Sequence, residues 1–261
     1  MNSLYPTSDF GALTILLVFF RMLGLFLLVP GFSHDAIPQS VKVLTALSIS
    51  LALHPIVKPY IPALDGSILA YGAAVLRETA IGLLMGFVAY VTFEAISLGA
   101  HFVGYQMGLG TVGMMDPSDD HQVSPLVPLQ AWIALLVFFI ADMHHHVLQV
   151  FVESFRATAD VGATNFGQQP LLVFFMGLTA KIFSLAVSLA APITLLVLCC
   201  NVVIGMVARM IPQMNILLFS FPITITLGFA GLYVVAPEMI DSMENILGEV
   251  SGELMTLIRV L

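Results

Sequence analysis

Residues 171–208 read LLVFFMGLTAKIFSLAVSLAAPITLLVLCCNVVIGMVA, a run of apolar side chains whose one formal charge is Lys181. A helix needs ~20 apolar residues to cross the hydrocarbon of a bilayer, and this run is nearly twice that length. Residues 68–104 form a second overlong run, punctuated by Gly72, Gly82, Gly86 and Gly99, as the first is by Pro192 and Gly205. Such segments are expected to kink, double back or leave the membrane plane. Four shorter apolar stretches, at about 10–29, 41–61, 126–151 and 214–236, complete six hydrophobic segments.

The whole composition agrees with these segments. Of 261 residues, 59% are hydrophobic and 9% charged, and the mean hydropathy is +1.02. Soluble domains carry roughly 45–50% apolar and about 25% charged residues, so 8 Lys and Arg with 16 Asp and Glu cannot cover a globule of this size. A soluble enzyme or binding module is excluded, and the chain is expected to be an all-α integral membrane protein forming one membrane domain over 1–261. The formal charge of −8 and the absence of any Lys/Arg cluster argue against a nucleic-acid partner. Adjacent Cys199 and Cys200, inside an apolar run, lack metal-site spacing and read as small buried hydrophobes. Residues 1–9 contain no Lys or Arg, and Arg21 interrupts the run that ends at Pro30, so the N-terminal segment is read as retained rather than as a cleaved signal.

Topology is not fixed by charge. On a six-span arrangement, Lys42 and Arg209 fall on one side, and Lys58, Arg156 and Arg259 on the other. The C-terminal stretch, about 238–260, behaves differently: Met239, Met243, Ile246, Val250, Leu254 and Leu257 recur at helical spacing among Glu238, Asp241, Glu244, Glu249 and Glu253. An amphipathic helix is expected. Interfacial membrane helices are normally basic, so this acidic one is expected to pack on a protein partner, the alternative being a solvated face on a final packed helix.

Several patterns invite a chemical reading. Gly108, Gly110 and Gly113 spell G-x-G-x-x-G, but an apolar helix precedes them and no βαβ unit surrounds them, so a dinucleotide site is rejected and a sharply bending backbone preferred. His144, His145 and His146 are consecutive and fan around a helix; Asp142 and His146 form an i, i+4 pair that falls short of the three or four ligands of a zinc site. No H-E-x-x-H, G-x-S-x-G or Walker motif occurs, and neither a catalytic residue, a metal nor a cofactor is expected. Arg21, Arg77, Glu78, Glu94, Asp142 and Lys181 lie inside apolar runs, where a charge facing lipid costs ~2.5–3.5 kcal/mol, so partners are expected for them. Glu78 and Glu94 are sixteen residues apart, about 160° around a helix of ~3.6 residues per turn, which disfavours a shared proton relay and favours separate pairing within the chain or across a subunit interface. Gly82 and Gly86 form G-x-x-x-G, suited to close helix contact. Met107, Met114 and Met115, among 14 methionines, flank the glycine-rich segment with adaptable side chains.

Four groups of landmarks occur in order: Arg21, Gly24 and Pro30 with Pro38 and Pro55; Glu78, Ile81, Gly82 and Gly86; Gly104, Gln106, Gly108 and Asp116-Pro117; and Asn201, Gly205, Arg209, Pro212-Gln213, Asn215 and Phe221-Pro222. In this register the chain resembles the FliR family of flagellar export-gate subunits, whose counterparts in virulence secretion are the SctT-type proteins. The resemblance implies a non-catalytic subunit in the bacterial inner membrane at the flagellar basal body. It would be built of kinked helical hairpins and packed with FliP and FliQ in a helical hetero-oligomeric gate. An FlhB-type subunit, membrane lipid and exported unfolded flagellar proteins are the further partners it implies. The resemblance also implies that a pore plug is formed by Gln106, Met107, Gly108, Leu109, Gly110, Thr111, Val112, Gly113, Met114, Met115, Asp116 and Pro117. Here Leu109, Val112, Met114 and Met115 stand where other members carry bulky aromatics. The competing class is a secondary transporter of a small solute, suggested by one interrupted segment in each half.

Overall fold

A computed structural model describes residues 7–33, 37–61, 67–110, 124–159, 169–211 and 216–261. Seven α-helices lie among them: α1 (Thr7–Leu28), α2 (Gln39–Val57), α3 (Ile68–Gln106), α4 (Leu126–Ile140), α5 (Met143–Ala159), α6 (Gln169–Met210) and α7 (Ile216–Val260). A 3-10 turn, Lys58–Tyr60, follows α2. The described residues contain no strand. Four of the helices, α2, α3, α6 and α7, are long and apolar enough to cross a membrane, and the α4–α5 pair makes a fifth if counted as one bent span. The molecule is a multi-pass, all-α membrane protein.

The two overlong segments do not double back. They are continuous helices of 39 and 42 residues, and α7 reaches 45. At ~1.5 Å per residue these are about 58, 63 and 68 Å long, against ~30 Å of hydrocarbon. Pro192 lies inside α6, and Pro222 and Pro237 inside α7. The expected boundary near residue 237 is therefore absent, and the amphipathic C-terminal stretch continues the apolar helix before it. Conversely, the stretch expected as one segment over 126–151 is broken between Ile140 and Met143. Asp142, at φ 55°, supplies the left-handed residue at that break, a conformation that Asp tolerates better than most side chains.

By contacts the chain divides into two compact units. The first holds Met1–Val91, Asp142–Met176 and Gly248–Leu261, the second Thr92–Ala141 and Gly177–Leu247. In the first, α1 packs on α2, where Thr14 Oγ1 and His54 Nε2 lie 2.8 Å apart. Val18, Met22 and Leu25 of α1, Ile81 and Met85 of α3, and Phe151 of α5 are fully buried. The C-terminal end of α7 buries Val250, Leu254 and Leu257 there, and Gly248 faces Met143. The apolar stripe expected to seek a partner, from Met239 to Leu257, is thus covered by this chain itself, leaving Glu238, Asp241, Glu244 and Glu249 outward. In the second unit, Phe93 meets Phe138 edge-on at 5.4 Å, tying α3 to α4. A Cβ at Gly99 would lie 3.2 Å from the Ala186 carbonyl of α6.

Candidate functional site

The first unit encloses a buried cation. Arg21, on α1, is completely buried, and its Nε donates to Glu78 Oε2 of α3 at 2.5 Å. The remaining guanidinium nitrogens donate to Ser154 Oγ at 2.8 Å and Thr158 Oγ1 at 3.1 Å, both on α5. Each hydroxyl spends its own proton on its helix: Ser154 donates to the Phe151 carbonyl at 2.6 Å, and Thr158 to that of Ser154 at 2.8 Å. A hydroxyl carries one proton and two lone pairs, so both lone-pair sets are left for the arginine. Phe155, between them, lies under the guanidinium, with Cζ 3.7 Å from the ring centroid. Positions 154, 155 and 158 share one face of α5 by helical spacing. Arg77, adjacent to Glu78, donates to the Thr158 carbonyl at 3.1 Å, capping the same end of α5.

Glycines set this geometry. A Cβ on Gly82 would collide with the Arg21 carbonyl; one on Gly24 would lie 2.7 Å from the Thr79 carbonyl, and one on Gly86 2.8 Å from that of Leu25. The expected G-x-x-x-G contact is therefore the crossing of α3 with α1, backbone against backbone. Gly82 stands one turn after Glu78, so the close crossing carries the carboxylate to Arg21.

The other interior charges behave differently. Glu94, expected to pair within the chain or across a subunit interface, is exposed. Lys181 is only partly buried. Asp142 does not pair with His146. Being left-handed rather than helical, it turns toward its nearer neighbours, with Oδ1 3.3 Å from His145 Nδ1 and 3.9 Å from His144 Nε2. Those three groups could meet a metal ion, but two of them are largely exposed and the cluster has the form of a polar start to α5.

In the second unit, Gln106–Gly110 of the expected plug are described, while Thr111–Pro117 lie outside the described residues. The described part is a helix terminus of defined kind. Leu109 N donates to the Gly104 carbonyl at 3.0 Å and Gly108 N to that of Tyr105 at 3.1 Å, with Gly108 at φ +80°. These are the two bonds of a Schellman cap, so Gly108 is the glycine that ends α3. The cap is held to α7. Met107 is fully buried, and a Cβ on Gly228 would lie 2.5 Å from its Cγ. Thr224 Oγ1 lies 3.3 Å from the Met107 carbonyl, and the Phe221 ring lies 3.0 Å from where a Gly108 Cβ would be. Sequence reasoning singled out Phe221-Pro222 without linking it to Gly108; the two are over a hundred residues apart, and no periodicity reports such a contact.

A cavity of about 530 Å³ between α6 and α7, bounded by Leu196, Cys199, Val203, Val207, Phe219 and Ile223 among others, has no charged residue in its lining.

Comparison with known proteins places these features. The family model described as bacterial export proteins, family 1, matches residues 12–250. The chain is 28% identical over 246 residues to the flagellar biosynthetic protein FliR of Escherichia coli K12, covering 92% of this chain and 91% of that one. To the FliR of Bacillus subtilis 168 it is 26% identical over 234 residues, covering 88% and 89%. To that of Aquifex aeolicus VF5 it is 25% identical over 240 residues, covering 92% and 91%. A match running through every helix, from the Arg21-bearing α1 to the acidic end of α7, makes this chain a member of the bacterial export protein family 1.

Proposed function

We propose that this chain is a non-catalytic subunit of the flagellar type III protein export gate. It sits in the bacterial cytoplasmic membrane at the basal body, where it builds the export channel with FliP and FliQ and adjoins an FlhB-type subunit. The observation that carries this reading is the end-to-end likeness, at 92% coverage, to a protein named for flagellar biosynthesis. Within the gate, residues 1–261 act as one membrane module, and Gln106–Pro117 closes the channel at rest.

Physical chemistry supports the plug. Met107 and the Schellman cap at Gly108 fix the segment's root on α7. Leu109, Val112, Met114 and Met115 are apolar and, for the methionines, unbranched, so they exclude water and ions yet yield to a passing unfolded chain. Deleting Gly110–Met114 should leave the complex assembled and raise ion leakage across the membrane, read with a potential-sensitive dye in whole cells. Full assembly with unchanged tightness and unchanged export would sink the plug assignment.

A further inference from the structure

Three polar side chains converge where α5 begins. Asp142 Oδ1 lies 3.3 Å from His145 Nδ1 and 3.9 Å from His144 Nε2, and the three donor atoms all fall within 4.8 Å of one another. Taken alone they are a polar start to the helix, but their spacing is that of a donor set. Ligands held tetrahedrally by bonds of ~2.0–2.2 Å stand about 3.3–3.5 Å apart. The Asp142–His145 edge already has that length, and the Asp142–His144 edge exceeds it by about half an ångström. Asp142 is 71% exposed, so the small rotation that closes the difference disturbs no packed group. Nδ1 of His144 is buried and Nε2 turns to the carboxylate, so that ring presents a single nitrogen. The two imidazoles lie 4.1 Å apart between centroids, tilted by 38°. Consecutive side chains on a regular helix point about 100° apart, yet these two aim at one oxygen, because left-handed Asp142 brings its carboxylate back over the first turn. His146, the next residue, is exposed and stands outside the group.

We propose that Asp142, His144 and His145 bind one late first-row divalent cation of the zinc type. Two imidazoles and one carboxylate suit such ions, whereas magnesium and calcium prefer all-oxygen shells. Three protein ligands leave a position for water, which the exposure of Asp142 and His145 admits. The ion ties the left-handed residue to the first turn of α5, both within the first unit, and stabilises the fold that presents its ligands together. The site is independent of the export-gate reading, since every ligand comes from Asp142–His145.

The test uses the full-length chain purified from native membranes in mild detergent through a tag without histidine, with whatever subunits accompany it, then stripped with EDTA and desalted. Zn²⁺ titrated by calorimetry, with bound metal counted by elemental mass spectrometry, should fill one site per copy of this chain. Asp142→Asn, His144→Gln and His145→Gln should each weaken that site about tenfold or more, and His146→Gln should leave it unchanged. Zn²⁺ should raise the melting temperature of the unmodified chain and of His146→Gln, but not of the three ligand variants. Asparagine keeps the left-handed backbone accessible, so if a histidine variant melts lower without metal, Asp142→Asn decides. Undiminished binding by Asp142→Asn overturns the proposal. A loss with His146→Gln as large as with the others makes the histidine run a flexible chelator and overturns it too. Absence of uptake, or displacement of Zn²⁺ by millimolar Mg²⁺, does the same.

Discussion

Arg21 is the most tightly specified residue of the first unit. Placing a guanidinium and a carboxylate out of water costs several kcal/mol per ion, recovered only when geometry and further hydrogen bonds are good. Here they are good: one carboxylate, two hydroxyls and an aromatic face meet the same cation. Removing one partner leaves the other charge buried. Arg21→Met or Glu78→Leu alone should therefore destabilise the folded chain by about 3–5 kcal/mol, whereas the double variant should recover most of that loss. Thermal unfolding in detergent, followed through Trp132, reads the cycle; a loss in the double variant equal to the sum of the two single losses would mean the ions contribute separately. That Arg21 needed a partner was legible in its apolar surroundings. That the partner is Glu78, 57 positions away, was not, because it depends on the glycine crossing of α1 and α3.

Helix ends, more than helix interiors, escaped the sequence. The apolar runs located α1, α2, α3 and α6 closely, since their composition leaves no other backbone that satisfies its own hydrogen bonds in lipid. The break at Asp142 is set by one left-handed residue inside a hydrophobic pattern that continues past it, and Pro237 is absorbed by a helix long enough to lose a bond. The Asp142 geometry is directly testable. Glycine adopts φ 55° without a steric cost, whereas a β-branched side chain there costs roughly 1–2 kcal/mol or more. Asp142→Gly should thus match the unmodified chain in thermal stability and Asp142→Val should fall below it. Equal stability for both would show that the bend does not depend on this residue's backbone. Gly108 was half legible: its pattern marked a bend, but the cap it forms on α3 needed Gly104 and Tyr105 as acceptors.

At the scale of the molecule, large apolar side chains remain outside. Leu44, Leu51 and Ile56 of α2, Val203 and Met206 of α6, and Tyr233 and Val234 of α7 are each at least half exposed. The membrane class was plain from composition, because 9% charged residues cannot clothe such surfaces. Which surfaces meet lipid and which meet other subunits is a property of the assembly, so no single sequence encodes it locally. Expressed without the other export subunits, the chain should aggregate or be degraded, and co-expression should restore a defined complex by size-exclusion chromatography. A stable, monodisperse monomer in detergent would contradict this.

The buried cation also has a history in time. Glu78 follows Arg21 by 57 residues and Thr158 by 137, intervals of about 3–11 s and about 7–27 s at a synthesis rate of ~5–20 residues per second. For that interval the first helix holds an arginine whose neutralising groups are still unmade. It has to wait in the aqueous insertion machinery or at the headgroup layer, and it settles into the apolar phase only when α3 and then α5 arrive. The order of synthesis thus makes this ion pair a late step of membrane insertion, after which the first helix is locked by parts of the chain made long after it.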